Sequence, residues 1–140
     1  MPDRELDKIF RRKYEEILRH SNGENGSTIE SQKEKLYHLN DSDFDSFLIE
    51  KKDLVVDFYA DWCGPCKIMA PIFEQISNEL SSKVAFAKVN VDENHVISGR
   101  YDIMGVPTIL YFRGGRMIDK TVGAVPKEIL RQKIREVFAV

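Results

Sequence analysis

The sequence predicts an α/β fold in which parallel strand-helix-strand crossovers come first and an antiparallel hairpin comes last. Three observations lead there. Short runs rich in Val, Ile, Phe and Tyr alternate with longer segments whose apolar residues recur every three or four positions. Two of the runs near the C-terminus are separated by Gly114-Gly115, a hairpin signal. A length of 140 residues with 42% hydrophobic content suits one ordinary core rather than two.

From Asp3 to His20, the residues Leu6, Ile9, Phe10, Tyr14, Ile17 and Leu18 recur at helical spacing among charges, and Ser21-Asn22-Gly23 supplies a stop. Residues 1–20 therefore read as an N-terminal amphipathic helix extension. Residues 21–35, with two Asn-Gly pairs and Ile29 as the single aliphatic residue, read as a flexible linker. One domain is expected over 36–140. It opens with a short strand, Leu36 to Leu39, then a cap region, Asn40-Asp41-Ser42, and a helix from Phe44 to Lys51 with Phe44, Phe47 and Leu48 inward. Lys51-Lys52-Asp53 turns the chain into the central strand, Leu54 to Tyr59.

The next helix runs from Cys66 to about Leu80, with Met69, Ile72, Phe73, Ile76 and Leu80 on one face and Pro71 inside it, where a kink is expected. Val84 to Val91 reads as a strand, Asn94 to Tyr101 as a short helix, and Thr108 to Phe112 as a β-branched and aromatic strand. Gly114-Gly115 turns into Met117 to Val122, and Pro126 opens a last helix with Ile129, Leu130, Ile134, Val137 and Phe138 inward. The order βαβαβαββα makes a mixed five-stranded sheet, three parallel strands plus the antiparallel hairpin, flanked by four helices.

Composition narrows the function. The formal net charge of -2, with 31% charged residues of both signs, gives no basic field for nucleic acid or an anionic membrane. Met1 to Phe10 holds no apolar run of the secretory kind, and no stretch is apolar enough to span a bilayer. Two cysteines placed as Cys-x-x-Cys then point to a reducing cytoplasm, where a disulfide is transient and catalytic.

Both cysteines stand where the central strand gives way to a helix. Cys63 and Cys66 flank Gly64 and Pro65, and a Pro near the first helical position suits a helix start because its missing N–H would be unpaired there anyway. Residues three apart on a helix are neighbours, so the two sulfurs can bridge and separate without moving the scaffold. A ring that small removes little unfolded-state entropy, which argues against a mainly stabilising purpose. Unpaired N–H groups and the positive end of the helix dipole favour a thiolate on Cys63, the expected nucleophile, with Cys66 as resolving thiol. Half of a zinc or iron-sulfur site is the competing reading. A structural zinc wants four ligands, and His20, His38 and His95 do not stand at ligand spacing, so no metal is expected.

The run Trp62-Cys63-Gly64-Pro65-Cys66-Lys67 resembles the active-site signature of the thioredoxin family. The likeness extends from about Leu36 to the C-terminus through Asp57, Pro71, Lys88, Gly105-Val106-Pro107-Thr108 and Val122-Gly123-Ala124. It implies the thioredoxin fold, preceded here by the extra N-terminal helix. It also implies a thiol-disulfide oxidoreductase that reduces protein disulfides, with the Cys63-Cys66 disulfide as its redox-active group and no bound cofactor. The partners implied are disulfide-containing proteins and a thioredoxin reductase, flavin-dependent and drawing on NADPH or, as the alternative, ferredoxin-linked.

Asp57 interrupts a strand expected to be covered on both faces, so it should hold its proton at raised pKa or pair with a cation, Lys88 being the nearest candidate. The resemblance makes Asp57 the proton-transfer group for Cys66. It also makes Pro107 a cis proline facing the cysteines, with the backbone of Val106 available to an extended substrate. A platform of Trp62, Gly64, Pro65, Gly105, Val106, Gly123 and Ala124 is implied beside Cys63. Tyr59 stands where many family members carry a second tryptophan, and Met104 where many carry a charge.

Two further readings compete. A glutaredoxin-like reductase requires another inter-cysteine pair and a glutathione site. A thioredoxin-fold binding module, or partner subunit, would attach through the helix at Asp3 to His20, whose apolar stripe also suits a homodimer. Such a module would not need both cysteines.

Overall fold

The computed structural model describes residues 36–140. The amphipathic helix and linker expected before Leu36 lie outside them. The elements are β1 (Leu36–Leu39), α1 (Phe44–Glu50), β2 (Asp53–Tyr59), α2 (Gly64–Leu80), β3 (Ala85–Asn90), α3 (His95–Arg100), β4 (Thr108–Arg113), β5 (Arg116–Val122) and α4 (Lys127–Phe138). They follow the expected order with shifts of one or two residues at element ends.

The five strands lie in the order β1-β3-β2-β4-β5. β3 pairs in parallel with both β1 and β2, whereas β4 pairs antiparallel with β2 and β5. This is the thioredoxin fold. β2 is central and buried on both faces, which explains why Leu54, Val55, Val56 and Phe58 form an almost unbroken apolar run. Alternate side chains feed two cores. Val55 meets Met69, Phe73 and Ile76 of α2 and Leu130 and Ile134 of α4 on one face. Leu54, Val56 and Phe58 meet Phe44 and Leu48 of α1 and Ile97 of α3 on the other.

α2 runs unbroken across Pro71. Its apolar stripe packs through Phe73, whose ring stands edge-on to Phe86 of β3 at 5.5 Å between centroids. Arg131 of α4 binds both carboxylate oxygens of Glu79 at the far end of α2, at 2.8 and 2.9 Å. α4 itself uses a narrower stripe than its sequence suggests. Leu130, Ile134 and Phe138, four apart, are buried, while Ile129 turns away and is 54% exposed. Its expected inward placement is corrected on that ground: the stripe four residues apart already fills the contact, and Ile129 lies about 100° around the helix from Leu130.

The hairpin between β4 and β5 closes on Gly114 and Gly115, both at positive φ (61° and 83°), as a tight two-residue connection requires. β5 is one of the two edge strands and carries Arg116, Asp119 and Lys120, charges that discourage pairing with another sheet edge.

Phe73 is fully buried between α2 and the sheet. Phe73→Ala is expected to lower unfolding free energy by about 3–5 kcal/mol in urea titrations. A loss below about 1 kcal/mol would contradict the packing described.

Candidate active site

Cys63 caps the N-terminus of α2. Its backbone is extended (φ -92°, ψ 115°), and its Sγ accepts a hydrogen bond from the Cys66 backbone N–H at 3.1 Å. Gly64 and Pro65 are the first two helical residues, so the proline sits where a missing N–H costs nothing. Cys63 and Cys66 are joined in a disulfide with Cα atoms 5.2 Å apart, inside the ordinary range. Both are only 4% exposed. Cover alone does not separate them; position does. Cys63 Sγ lies 3.5 Å from the Val106 carbonyl oxygen on one side of the helix start. Cys66 borders a cleft shared with Tyr59, Asp61 and Lys88.

The loops from the other half of the sheet complete the site. The Val106-Pro107 bond is cis. Thr108 Oγ1 donates to the Gly105 carbonyl at 2.6 Å, and Gly123 N–H donates to the Pro107 carbonyl at 2.8 Å. The second bond ties the segment after β5 to the segment before β4. Gly123, at φ 92°, holds a left-handed backbone that suits glycine. Gly64, Pro65, Gly105 and Ala124 are exposed, and Trp62 is 71% exposed. Met104, at 93% exposure, adds an apolar side chain one residue before Gly105.

The Trp62 indole is anchored rather than loose: Nε1 donates to Asp92 Oδ2 at 2.8 Å. Asp92 was not among the residues the sequence singled out. It lies 30 positions away, and only the pairing of Tyr59 with Asn90 brings the turn after β3 alongside Asp61 and Trp62. Asn90 fixes that turn, accepting from Asp92 N–H at its side-chain oxygen (2.9 Å) and from the Asn94 amide at its carbonyl (3.0 Å).

Asp57, 1% exposed in the middle of β2, faces the same side of the sheet as Val55 and Tyr59. Lys88 is its register partner on β3. The ammonium is nevertheless directed elsewhere, 4.5 Å from the centroid of the Tyr59 ring, and Asp57 Oδ1 has no hydrogen-bond partner. Burial pushes the Asp57 carboxyl up to about 6, against a smaller opposing attraction from Lys88. His38, paired in register with Lys88 from β1, is held below its ordinary value by burial and then by the Lys88 charge. Among the described residues, no group of three His, Cys, Asp or Glu side chains is placed to hold a metal ion.

The chemistry available is thus a disulfide-linked cysteine pair at a helix start, a buried carboxyl whose pKa is pushed up to about 6, and a backbone carbonyl beside the Cys63 sulfur. Residues 35–136 match the thioredoxin family model. Over 103 residues the chain is 41% identical to a thioredoxin of Chlorobaculum thiosulfatiphilum, covering 73% of this chain and 95% of that protein. It is 44% identical over 94 residues to a thioredoxin of Staphylococcus epidermidis, covering 67% of this chain and 89% of the other. Among solved structures, a mutant thioredoxin from Halobacterium salinarum NRC-1 aligns with a TM-score of 0.69 and 29% identity, covering 76% of this chain and 93% of that one. A disulfide-forming Cys-Gly-Pro-Cys pair at the end of the central strand, in a chain this similar throughout its sheet, carries one conclusion: the chain belongs to the thioredoxin family and is a thiol-disulfide oxidoreductase acting on protein disulfides.

Proposed function

We propose that Cys63 is the attacking thiol, Cys66 the resolving thiol and Asp57 the group that takes up the Cys66 proton. The observation that carries the assignment is the Cys66 N–H bonded to Cys63 Sγ at the start of α2. In the dithiol form the same N–H and the helix dipole stabilise negative charge on Cys63. Cys63 thiolate attacks one sulfur of a substrate disulfide, forming a mixed disulfide and expelling the other substrate sulfur as thiolate. Cys66 loses its proton to Asp57 and attacks Cys63 Sγ. The Cys63–Cys66 bond forms, the mixed disulfide breaks, and the second substrate thiolate leaves. Two electrons pass from the dithiol to the substrate.

Trp62, Gly64, Pro65, Gly105, Val106, Gly123 and Ala124 form the substrate-facing surface in this reading, and Pro107, assigned to the same site, is buried directly behind Val106. The Val106 backbone beside Cys63 Sγ pairs with an extended substrate segment, a form of strand addition whose main-chain hydrogen bonds are indifferent to sequence. Family membership implies a thioredoxin reductase as the kind of electron donor. We propose a flavin-containing, NADPH-dependent one, acting in a reducing compartment such as the cytoplasm, where a pair of this kind returns to the dithiol.

For the remainder of the chain, we propose an amphipathic helix over 1–20, a linker over 21–35 and the catalytic domain over 36–140. The apolar stripe from Leu6 to Leu18 supports a role in self-association. Sedimentation of the chain lacking residues 1–35 is expected to show a monomer where the full chain sediments as a dimer. Equal numbers of copies in both would end that proposal.

Two variants test the cycle. Insulin disulfide reduction driven by dithiothreitol is expected to fall to the background rate in Cys63→Ser. Cys66→Ser is expected to accumulate a mixed disulfide visible by mass spectrometry. Accumulation on Cys66 in the Cys63→Ser protein instead would reverse the roles.

Asp57 gives a pH test of opposite sign to the usual carboxylate. Folded, it keeps its proton up to about pH 6; unfolded, only to about its ordinary 3.8. The native state therefore binds the extra proton between those values, and stability falls as pH rises through the window. Above it the penalty for a buried charge is complete. Asp57→Asn should be more stable than wild type by about 2–3 kcal/mol at pH 8, from about 1.4 kcal/mol per pH unit, with the difference gone below about pH 4. The same variant should release product from the mixed disulfide roughly tenfold or more slowly. Calorimetry and stopped-flow quenching of Trp62 fluorescence measure the two effects.

A further inference from the structure

The sheet face that bears Asp57 carries a row of ionisable groups: His38 on β1, Lys88 on β3 and Asp57 on β2 stand in register. The next register neighbour, Ile109 on β4, has no charge, and the α2 residues packed on this face, Met69 and Phe73, are apolar. Tyr59, two residues beyond Asp57 on the same strand, is half-buried and packs against the cysteine cluster. Tyr59 and Lys88 together form the wall between two clefts. One reaches Cys66, Asp61 and Lys67; the other reaches His38, Asn90 and Glu93. The ionisable groups beside Asp57 are thus Lys88 from β3 and Tyr59 from its own strand, with His38 one strand further away.

Lys88 has two places to put its charge. Contact with a buried carboxylate is the electrostatically obvious one, and it would hold Asp57 ionised. The ammonium instead stands over the face of the Tyr59 ring at 4.5 Å, within the range where the ring quadrupole attracts a cation. We propose that Tyr59 is a positioning residue for disulfide exchange: its ring holds the Lys88 ammonium beside the Cys66 cleft and out of contact with Asp57, leaving that carboxyl able to accept and return the Cys66 proton. The inference rests on the proton-transfer reading of Asp57. It assigns to this aromatic ring, at the position where many family members carry tryptophan, a task beyond filling space.

The test follows the Asp57 side-chain carboxyl by carbon NMR across pH in the full oxidised chain, together with the pH dependence of product release. In wild type, the Lys88 ε-methylene protons should be shifted upfield by the Tyr59 ring; unshifted protons would overturn the proposal without any mutation. Tyr59→Phe, which keeps the ring, should leave the Asp57 midpoint in place. Tyr59→Leu should lower it by about one pH unit as Lys88 closes on the carboxylate, and move the pH profile of product release the same way. In a Lys88→Met background, Tyr59→Leu should change neither readout. A Tyr59→Leu shift that persists without Lys88, or an equal shift in Tyr59→Phe, would overturn the assignment. Asp57→Asn separates the two readings. If it releases product as fast as wild type, proton transfer by Asp57 falls, while the carboxyl titration still reports whether Tyr59 holds Lys88 away.

Discussion

The structure depends on the complete burial of β2. Strands pair on both its edges and helices cover both its faces, so the chain has no freedom where it leaves the strand at Tyr59. A few residues later α2 begins, and its first turns are fixed by Met69 and Phe73 in the core below. The cysteines are therefore presented at a helix start whose position is set by the buried side chains of the core rather than by the loop itself. A disulfide that opens and closes there asks nothing of the scaffold. That is the physical requirement for repeated exchange at one place.

The same burial creates the site's electrostatics. A carboxyl buried in the middle of a strand resists ionisation, and the Asp57 carboxyl is pushed up to about 6. A cation close by would undo this if it were allowed to touch. Lys88 stands in register with Asp57, yet its ammonium rests over Tyr59. The carboxyl, the lysine and the ring form a small balance whose setting depends on side-chain placement over a few ångströms.

In the proposed reading, recognition is supplied by backbone more than by side chains. The loop ahead of β4 and the loop after β5 are bonded to one another through Gly123 and Pro107, and together they bring the Val106 carbonyl to Cys63. The surrounding surface is small, exposed and weakly apolar, with the Trp62 indole fastened by Asp92 and Met104 projecting freely. A surface of this kind suits varied partners that share an accessible disulfide rather than a sequence.

Much of this was written locally. The period of two in the strands, the period near four in α2, Gly114-Gly115 at the hairpin and the Cys-Gly-Pro-Cys helix start each depend on neighbours a few residues apart, so the chain alone determined the element order and the redox pair. The oddity of Asp57 in an apolar run was equally plain, because a charge in a buried strand is conspicuous in one dimension. What only the tertiary structure decided lies between distant segments. Ile129 faces outward because the Leu130-Ile134-Phe138 stripe already fills the contact with α2 and the sheet. Trp62 finds Asp92 because strand register brings the turn after β3 alongside it, and Lys88, though in register with Asp57, lays its ammonium over Tyr59, a choice made by side-chain packing. The cis geometry at Pro107 and the equal burial of the two cysteines belong to the same class. Local pattern fixes which surfaces must be buried, but long-range packing selects each side chain's partner, and at this site the choice of partner sets the chemistry.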